Sequence, residues 1–70
     1  MSHTTEIALV TGERIRVEGG AKEVERKILD AARGSIMELA WMVECETAEP
    51  LGVNPEHVVM LRDLGPVPGA

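Results

Sequence analysis

The sequence has one cysteine, Cys45, and one aromatic residue, Trp41. A single cysteine excludes an intrachain disulfide, and the two histidines, His3 and His57, add none of the paired spacings that hold zinc. The longest apolar runs are only a few residues, far short of the roughly 20 needed to cross a bilayer. We therefore expect no disulfide framework, no structural metal and no membrane-spanning segment.

Positive charge is also scarce, because 7 basic residues face 12 acidic ones and the formal net charge is −5 at pH 7. Nucleic-acid-binding proteins usually present a basic surface, since neutralising phosphates supplies much of their affinity. Base stacking also needs several aromatic side chains, and Trp41 stands alone. The composition therefore disfavours a nucleic-acid partner, although Arg14 and Arg16 lie close together and keep that alternative open.

Phosphate-binding loops and targeting signals are missing from the pattern as well. Gly19 and Gly20 precede a predicted helix, but neither a dinucleotide-binding motif nor a P-loop surrounds them, so no cofactor is expected. Residues 2–5 do not begin the basic-then-apolar pattern of a secretory signal. Together with the single cysteine, this predicts a reducing compartment and a cytoplasmic location.

Two strands and a turn are predicted at the beginning of the chain. Residues 4–11 form the first strand and residues 14–18 the second, in which apolar and charged side chains alternate. A two-residue loop would pair Val10 with Ile15, whereas a three-residue loop would pair Leu9 with Ile15. Both registers stay open, and they place opposite faces of the first strand in the core.

The segment from Ala21 to Arg33 has the periodicity of an amphipathic helix. Val24 and Ile28 lie on its apolar stripe, and Gly34 follows at a position where helices commonly end. We expect this stripe to pack on a sheet.

The longest predicted strand covers residues 36–47 and is apolar on both faces. We expect Trp41 and Cys45 to face the core and Met42 to point away from it. If this strand lies beside the first one, the helix covers one face of a single sheet.

The rest of the chain predicts short elements, namely a return strand at 51–53, a turn at 54–56 and a last strand at 57–62. The order is therefore ββαβββ, an α+β domain over residues 1–64 with a small, largely antiparallel sheet and one helix packed on one face. Residues 65–70, rich in proline and glycine, predict a flexible C-terminal tail.

The residues that could act in catalysis or metal binding are better explained by structural roles. Cys45 lies between two glutamates, which disfavours a thiolate, and we expect it to be buried and inert. His57 has no serine or cysteine near it to act upon. The acidic residues Glu44, Glu46 and Glu49 could suggest a cation site, but such sites need about six oxygens arranged by a shaped loop, and the cluster suits a solvated strand end. We predict no catalytic, cofactor-binding or metal-binding residue, and no enzyme.

Apolar residues on both faces of the first, third and last strands are the feature that points to a function. One helix covers only one sheet face, so the other predicts an interface. The candidate interface residues are Ile36, Ala40 and Met42, joined by Ile7 and Leu9 or, in the other hairpin register, by Ala8 and Val10.

We therefore predict a protein-interaction or accessory regulatory module that forms a homodimer or binds another protein. A chain of 70 residues buries too little surface to be comfortably stable alone, which favours self-association. The alternatives are a nucleic-acid-associated regulator using Arg14 and Arg16, and an enzyme whose site is assembled between subunits. Segments 9–17 and 53–58 resemble, in reverse order, short hairpin and turn phrases of small bacterial proteins such as the flagellar FlbD family, and this resemblance carries no site residues.

Overall fold

The computed structural model describes residues 3–34 and 38–66. Within them the order ββαβββ and the α+β class are confirmed. The elements in chain order are β1 (His3–Leu9), β2 (Arg14–Glu18), α1 (Ala21–Arg33), β3 (Ala40–Val43), β4 (Pro50–Val53), a single 3₁₀ turn (Pro55–His57) and β5 (Val58–Pro66).

The strands form two antiparallel sheets rather than the single sheet that was predicted. The three-stranded sheet has the order β2-β1-β5, so the last strand, and not the third, lies beside β1. Strands β3 and β4 form a separate two-stranded sheet, and one bridge between Val17 and Glu44 links it to the edge of β2. Helix α1 packs against β3 and β5, with further contacts to β1 and the 3₁₀ turn.

The register of the first hairpin differs from both predicted alternatives. Ile7 pairs with Ile15 and Ala8 with Arg14, so residues 10–13 form a longer connection than either. Gly12, at φ +96°, donates its N–H to the Leu9 carbonyl at 2.9 Å. The turn closed by this hydrogen bond accommodates the residues by which the connection exceeds the predicted loops. Leu9 and Ile7 lie on the same face of β1 as Ile15 does on β2. The predicted three-residue loop would have placed them on that face as well.

Helix α1 has the predicted bounds and the predicted buried stripe. Val24 and Ala31 are buried and Ile28 is half-buried. Its N-terminal cap comes from a distant element, because Gly20 has no side chain to offer. The Asp63 carboxylate on β5 instead accepts a hydrogen bond from the Ala21 N–H at 3.3 Å, which satisfies one of the helix's unpaired N–H groups.

The third strand is much shorter than predicted. Strand β3 has only four residues, from Ala40 to Val43, because its partner β4 pairs with just those positions. Residues 36 and 37, at the start of the predicted strand, lie outside the described residues.

The two faces of β3 are the reverse of the prediction. Ala40 and Met42 are buried in the core, whereas Trp41 is 61% exposed. The small side chains of Ala31 and Ala40 suit close contact between α1 and β3, and a residue the size of tryptophan would not fit there. The apolar core is completed from both sheets and the helix, and it consists of Ile7, Val17, Val24, Ala31, Ala40, Met42 and Val53.

The last strand extends further than predicted. Strand β5 continues to Pro66, which pairs with His3, so it includes the first two residues of the predicted tail. Residues 67–70 lie outside the described residues.

Candidate functional site

An apolar surface covers the outer face of the two-stranded sheet. On this face Trp41 lies opposite Gly52 and Val43 lies opposite Pro50, with Leu39 just before the strand. Leu39, Trp41 and Val43 are 37%, 61% and 38% exposed. We call Leu39, Trp41, Val43, Pro50 and Gly52 the apolar platform. Strands β3 and β4 contain no charged residue, and Val43 at one end of the platform borders a depression that His3, Glu18, Glu23 and Lys27 also line. Exposed apolar patches often mark interfaces.

Gly52 shapes the centre of the apolar platform. A Cβ atom at this position would lie 3.1 Å from Cη2 of the Trp41 indole and 2.9 Å from Cδ1 of Leu39. The two side chains therefore lie directly over the Gly52 backbone, in space that any other residue would occupy. This support holds the single indole of the protein on the outside of the sheet.

A groove of about 350 Å³ adjoins one end of the apolar platform. It shares Leu39 and Gly52 with the platform and continues towards the first hairpin, where the half-buried side chains of Leu9 and Ile15 line it. His57 and Asn54 stand among its polar lining residues. The exposed apolar surface is thus larger than the outer face of β3 and β4 alone.

The predicted interface residues do not form this surface. Ile7, Ala40 and Met42 are buried within the single chain, because they face α1 and the opposite sheet, so they have no surface to offer a partner. Leu9 is half-buried and lines the groove, and Ile36 lies outside the described residues. The prediction of an interface stays a prediction, but the most exposed side chain of β3, Trp41, is one that was assigned to the core.

The outer face of the three-stranded sheet is charged. Glu6 on β1 lies directly opposite Arg16 on β2 and Arg62 on β5, and the next pair of positions places Ala8 between Arg14 and Met60. We call Arg14, Arg16 and Arg62, with Glu6 between them, the arginine face. The sequence indicated Arg14 and Arg16, whereas only the pairing of β5 with β1 brings Arg62 to them.

Strand β5 has an outer edge without a strand partner among the described residues. Val59, Met60 and Leu64 are exposed along it. Register shifts near Val59 and Leu64 and a terminal Pro66 interrupt it, and these features are known to prevent edge-to-edge pairing. The edge is therefore a poorer docking element than the apolar platform.

The titratable residues that the sequence analysis considered do not come together in one site. His57 is exposed at the rim of the groove, and Glu46 and Glu49 are exposed on the turn after β3. Glu44 is half-buried and accepts a hydrogen bond from the Thr47 hydroxyl at 3.0 Å. Within the described ranges, no three residues of the His, Cys, Asp and Glu types are grouped so that they could hold a metal ion.

Cys45 was predicted to be buried on the Trp41 face of the third strand, and this is wrong. Strand β3 ends before it, and the thiol is half-buried with its Sγ 3.9 Å from the Thr4 hydroxyl. The Cys45 N–H donates to the Arg16 carbonyl at 2.9 Å, so this residue helps to fasten the two-stranded sheet to β2.

Asp63 is a structural residue that the sequence did not reveal. Its carboxylate accepts hydrogen bonds from the backbone N–H groups of Gly65 and Ala21, and these lower the pKa of the carboxyl below its ordinary value. His3 lies 3.9 Å away and lowers the pKa further. The residue thus connects β5 to the beginning of α1.

No protein-family model, curated protein or solved structure matches this chain. The short phrases that resemble the flagellar FlbD family therefore assign no family. In the part of the chain that the structure describes, no helix is long and apolar enough to cross a membrane.

Proposed function

We propose that this chain is a non-enzymatic protein-interaction module that self-associates through the apolar platform. The observation that carries the proposal is the 61% exposure of Trp41 at the centre of a sheet face without charged residues. Tryptophan is the residue type most enriched among those that dominate binding energy at interfaces. An exposed indole supported from below by Gly52 is already held in place, so little side-chain entropy is lost on binding.

A second copy of the chain is the partner that this surface suits best. The apolar platform has few groups that need a hydrogen-bonding partner, so the same surface on another copy complements it around a two-fold axis. The chain would also gain stability from a partner, because its described core consists of seven buried apolar residues, two of them alanines. Burying about 800 Å² on each copy, the usual interface size, would add the stability that a chain of this length lacks.

The alternative of a nucleic-acid-associated regulator has one observation in its favour, namely that Arg62 joins Arg14 and Arg16 on one face. Against it stand the net charge of −5 and the position of the single aromatic side chain on the other sheet. Without an aromatic residue beside the arginines on which bases could stack, a single-stranded nucleic acid would make only electrostatic contacts there.

Self-association can be measured with Trp41 itself, since it is the only aromatic residue. On dilution from a concentrated sample, the tryptophan emission should shift to longer wavelength as the indole becomes exposed to water. Sedimentation velocity should show the change from two copies to one over the same range of concentration.

The matched variants are Trp41→Ser and Val59→Ser, because both side chains are more than half exposed but Val59 lies on β5, away from the apolar platform. Trp41→Ser should sediment as a folded monomer, whereas Val59→Ser should dimerise like the unmodified chain. A monomer at high concentration, with emission that dilution leaves unchanged, would refute the proposal.

A further inference from the structure

The arginine face is a second exposed surface, on a different sheet from the apolar platform. Strands in a sheet lie about 4.8 Å apart, so Arg16 and Arg62, on either side of β1, are separated by about 10 Å at the backbone. Arg14 and Arg16 are about 7 Å apart along β2. The three residues therefore occupy a compact, exposed area on one face.

The guanidinium groups on this face form no ion pair among the residues that the structure describes. The contacts between opposite charges among residues 3–34 and 38–66 are His3 with Asp63 and Lys22 with Glu25. None of the three arginines takes part in either. Glu6 is the only carboxylate between them in the ladder, so three guanidinium groups stand beside one carboxylate in these rows of the three strands.

The surroundings of the arginine face restrict what can bind there. Glu13 and Glu18, both exposed, flank the two arginines of β2 at either end. A long polyanion such as a nucleic-acid duplex would run into these carboxylates. A short anionic segment would not, and Arg is well suited to bind a carboxylate through two parallel hydrogen bonds.

The β5 side of the same face is apolar. Met60 is 38% exposed and pairs with Ala8 in the row that contains Arg14. In an extended peptide, side chains two positions apart are about 7 Å apart, which equals the spacing of Arg14 and Arg16. From this geometry we infer that the arginine face binds a short, extended protein segment in which acidic side chains stand beside apolar ones.

The test is fluorescence anisotropy with a labelled peptide that has glutamate at alternate positions, separated in turn by leucine and serine. The matched peptide has glutamine in place of every glutamate. The acidic peptide should bind and the neutral one should not, and added salt should weaken the binding because the contacts are exposed.

Two kinds of variant should change the affinity for the acidic peptide in opposite directions. Arg16→Gln and Arg62→Gln should each weaken binding roughly three- to tenfold, the range of one partly exposed charged contact, whereas Arg33→Gln at the end of α1 should not. Glu6→Gln should tighten binding, because it removes the carboxylate that competes with the peptide. A gain in affinity does not arise from misfolding, so this variant keeps the test informative even if an arginine variant unfolds.

Three results would overturn the inference. They are equal binding of the glutamine peptide, equal losses in Arg16→Gln and Arg33→Gln, and a short DNA duplex that displaces the acidic peptide at lower concentration than unlabelled peptide does. The last result would assign the surface to nucleic acid. Trp41→Ser should bind the acidic peptide as the unmodified chain does, so a failure of the self-association proposal can be told from a failure of this one.

Discussion

The outer faces of the two sheets have opposite character. On the two-stranded sheet, Trp41 and Val43 lie opposite Gly52 and Pro50, without a charge, whereas on the three-stranded sheet Glu6 lies between Arg16 and Arg62. Both sheets share one apolar core. This small chain therefore exposes one apolar sheet face and one charged sheet face.

The same comparison applies within one strand, since Met42 and Trp41 are neighbours with opposite environments. Burial of Met42 at 2% exposure contrasts with the exposure of Trp41. The strand therefore separates a residue that maintains the fold from a residue that is available for binding.

The largest effect is expected from Met42→Lys. An unpaired charge in the core costs several kcal/mol, which exceeds the stability margin of many small domains, so this variant should be unfolded by circular dichroism. Trp41→Lys is the control and should remain folded, because its side chain points to solvent. A folded Met42→Lys together with an unfolded Trp41→Lys would reverse the assignment of the two faces.

An intermediate effect is expected from Gly52→Ala. The added methyl group would occupy the space beneath Trp41 and Leu39, whose flexible side-chain ends must move by a few tenths of an ångström or more. We expect unfolding free energy to change by no more than about 1 kcal/mol, because only exposed side-chain ends give way and alanine is favoured over glycine in a strand.

The position of the indole should nevertheless change, so the fluorescence emission and the self-association of Gly52→Ala should both differ from those of the unmodified chain. Gly12→Ala is a poor control because Gly12 has φ +96°. Val59→Ser serves instead. Unchanged emission and unchanged association in Gly52→Ala would mean that the indole does not rest on this glycine.

The smallest effect is expected from Asp63→Asn, which tests how the three-stranded sheet holds the helix. The folded-state pKa of Asp63 is lowered by hydrogen bonds from the N–H groups of Gly65 and Ala21. A lowered folded pKa gives stability that is fully present above the unfolded pKa, about 4, and is lost as pH falls through the folded pKa.

Urea unfolding measured from neutral to acidic pH should therefore show a loss of stability below about pH 4 in the unmodified chain. In Asp63→Asn part of that loss should be absent, because asparagine does not titrate. Identical pH profiles for the two proteins would contradict a role of the Asp63 carboxylate in holding the beginning of α1.

The sequence by itself determined the elements whose signals are local. The helix from Ala21 to Arg33 has the predicted bounds because its apolar stripe and the glycines at both ends are local signals, although its N-terminal cap comes from Asp63 on β5. The alternation in β2 likewise determined that Val17 is buried and Arg16 exposed, since only one of its faces is apolar.

Only the tertiary structure decided which face of β3 is buried and which residues meet across the sheets. Residues 40–43 are apolar on both faces, so period-two alternation contains no information about which side faces the core. In the folded chain, Ala40 and Met42 share the core with Ala31 of α1, whereas Trp41 lies over Gly52 on the outer face. Arg62 reached Arg16, and Asp63 reached Ala21, because β5 pairs with β1, and long-range pairing of this kind leaves no local signal in a single sequence.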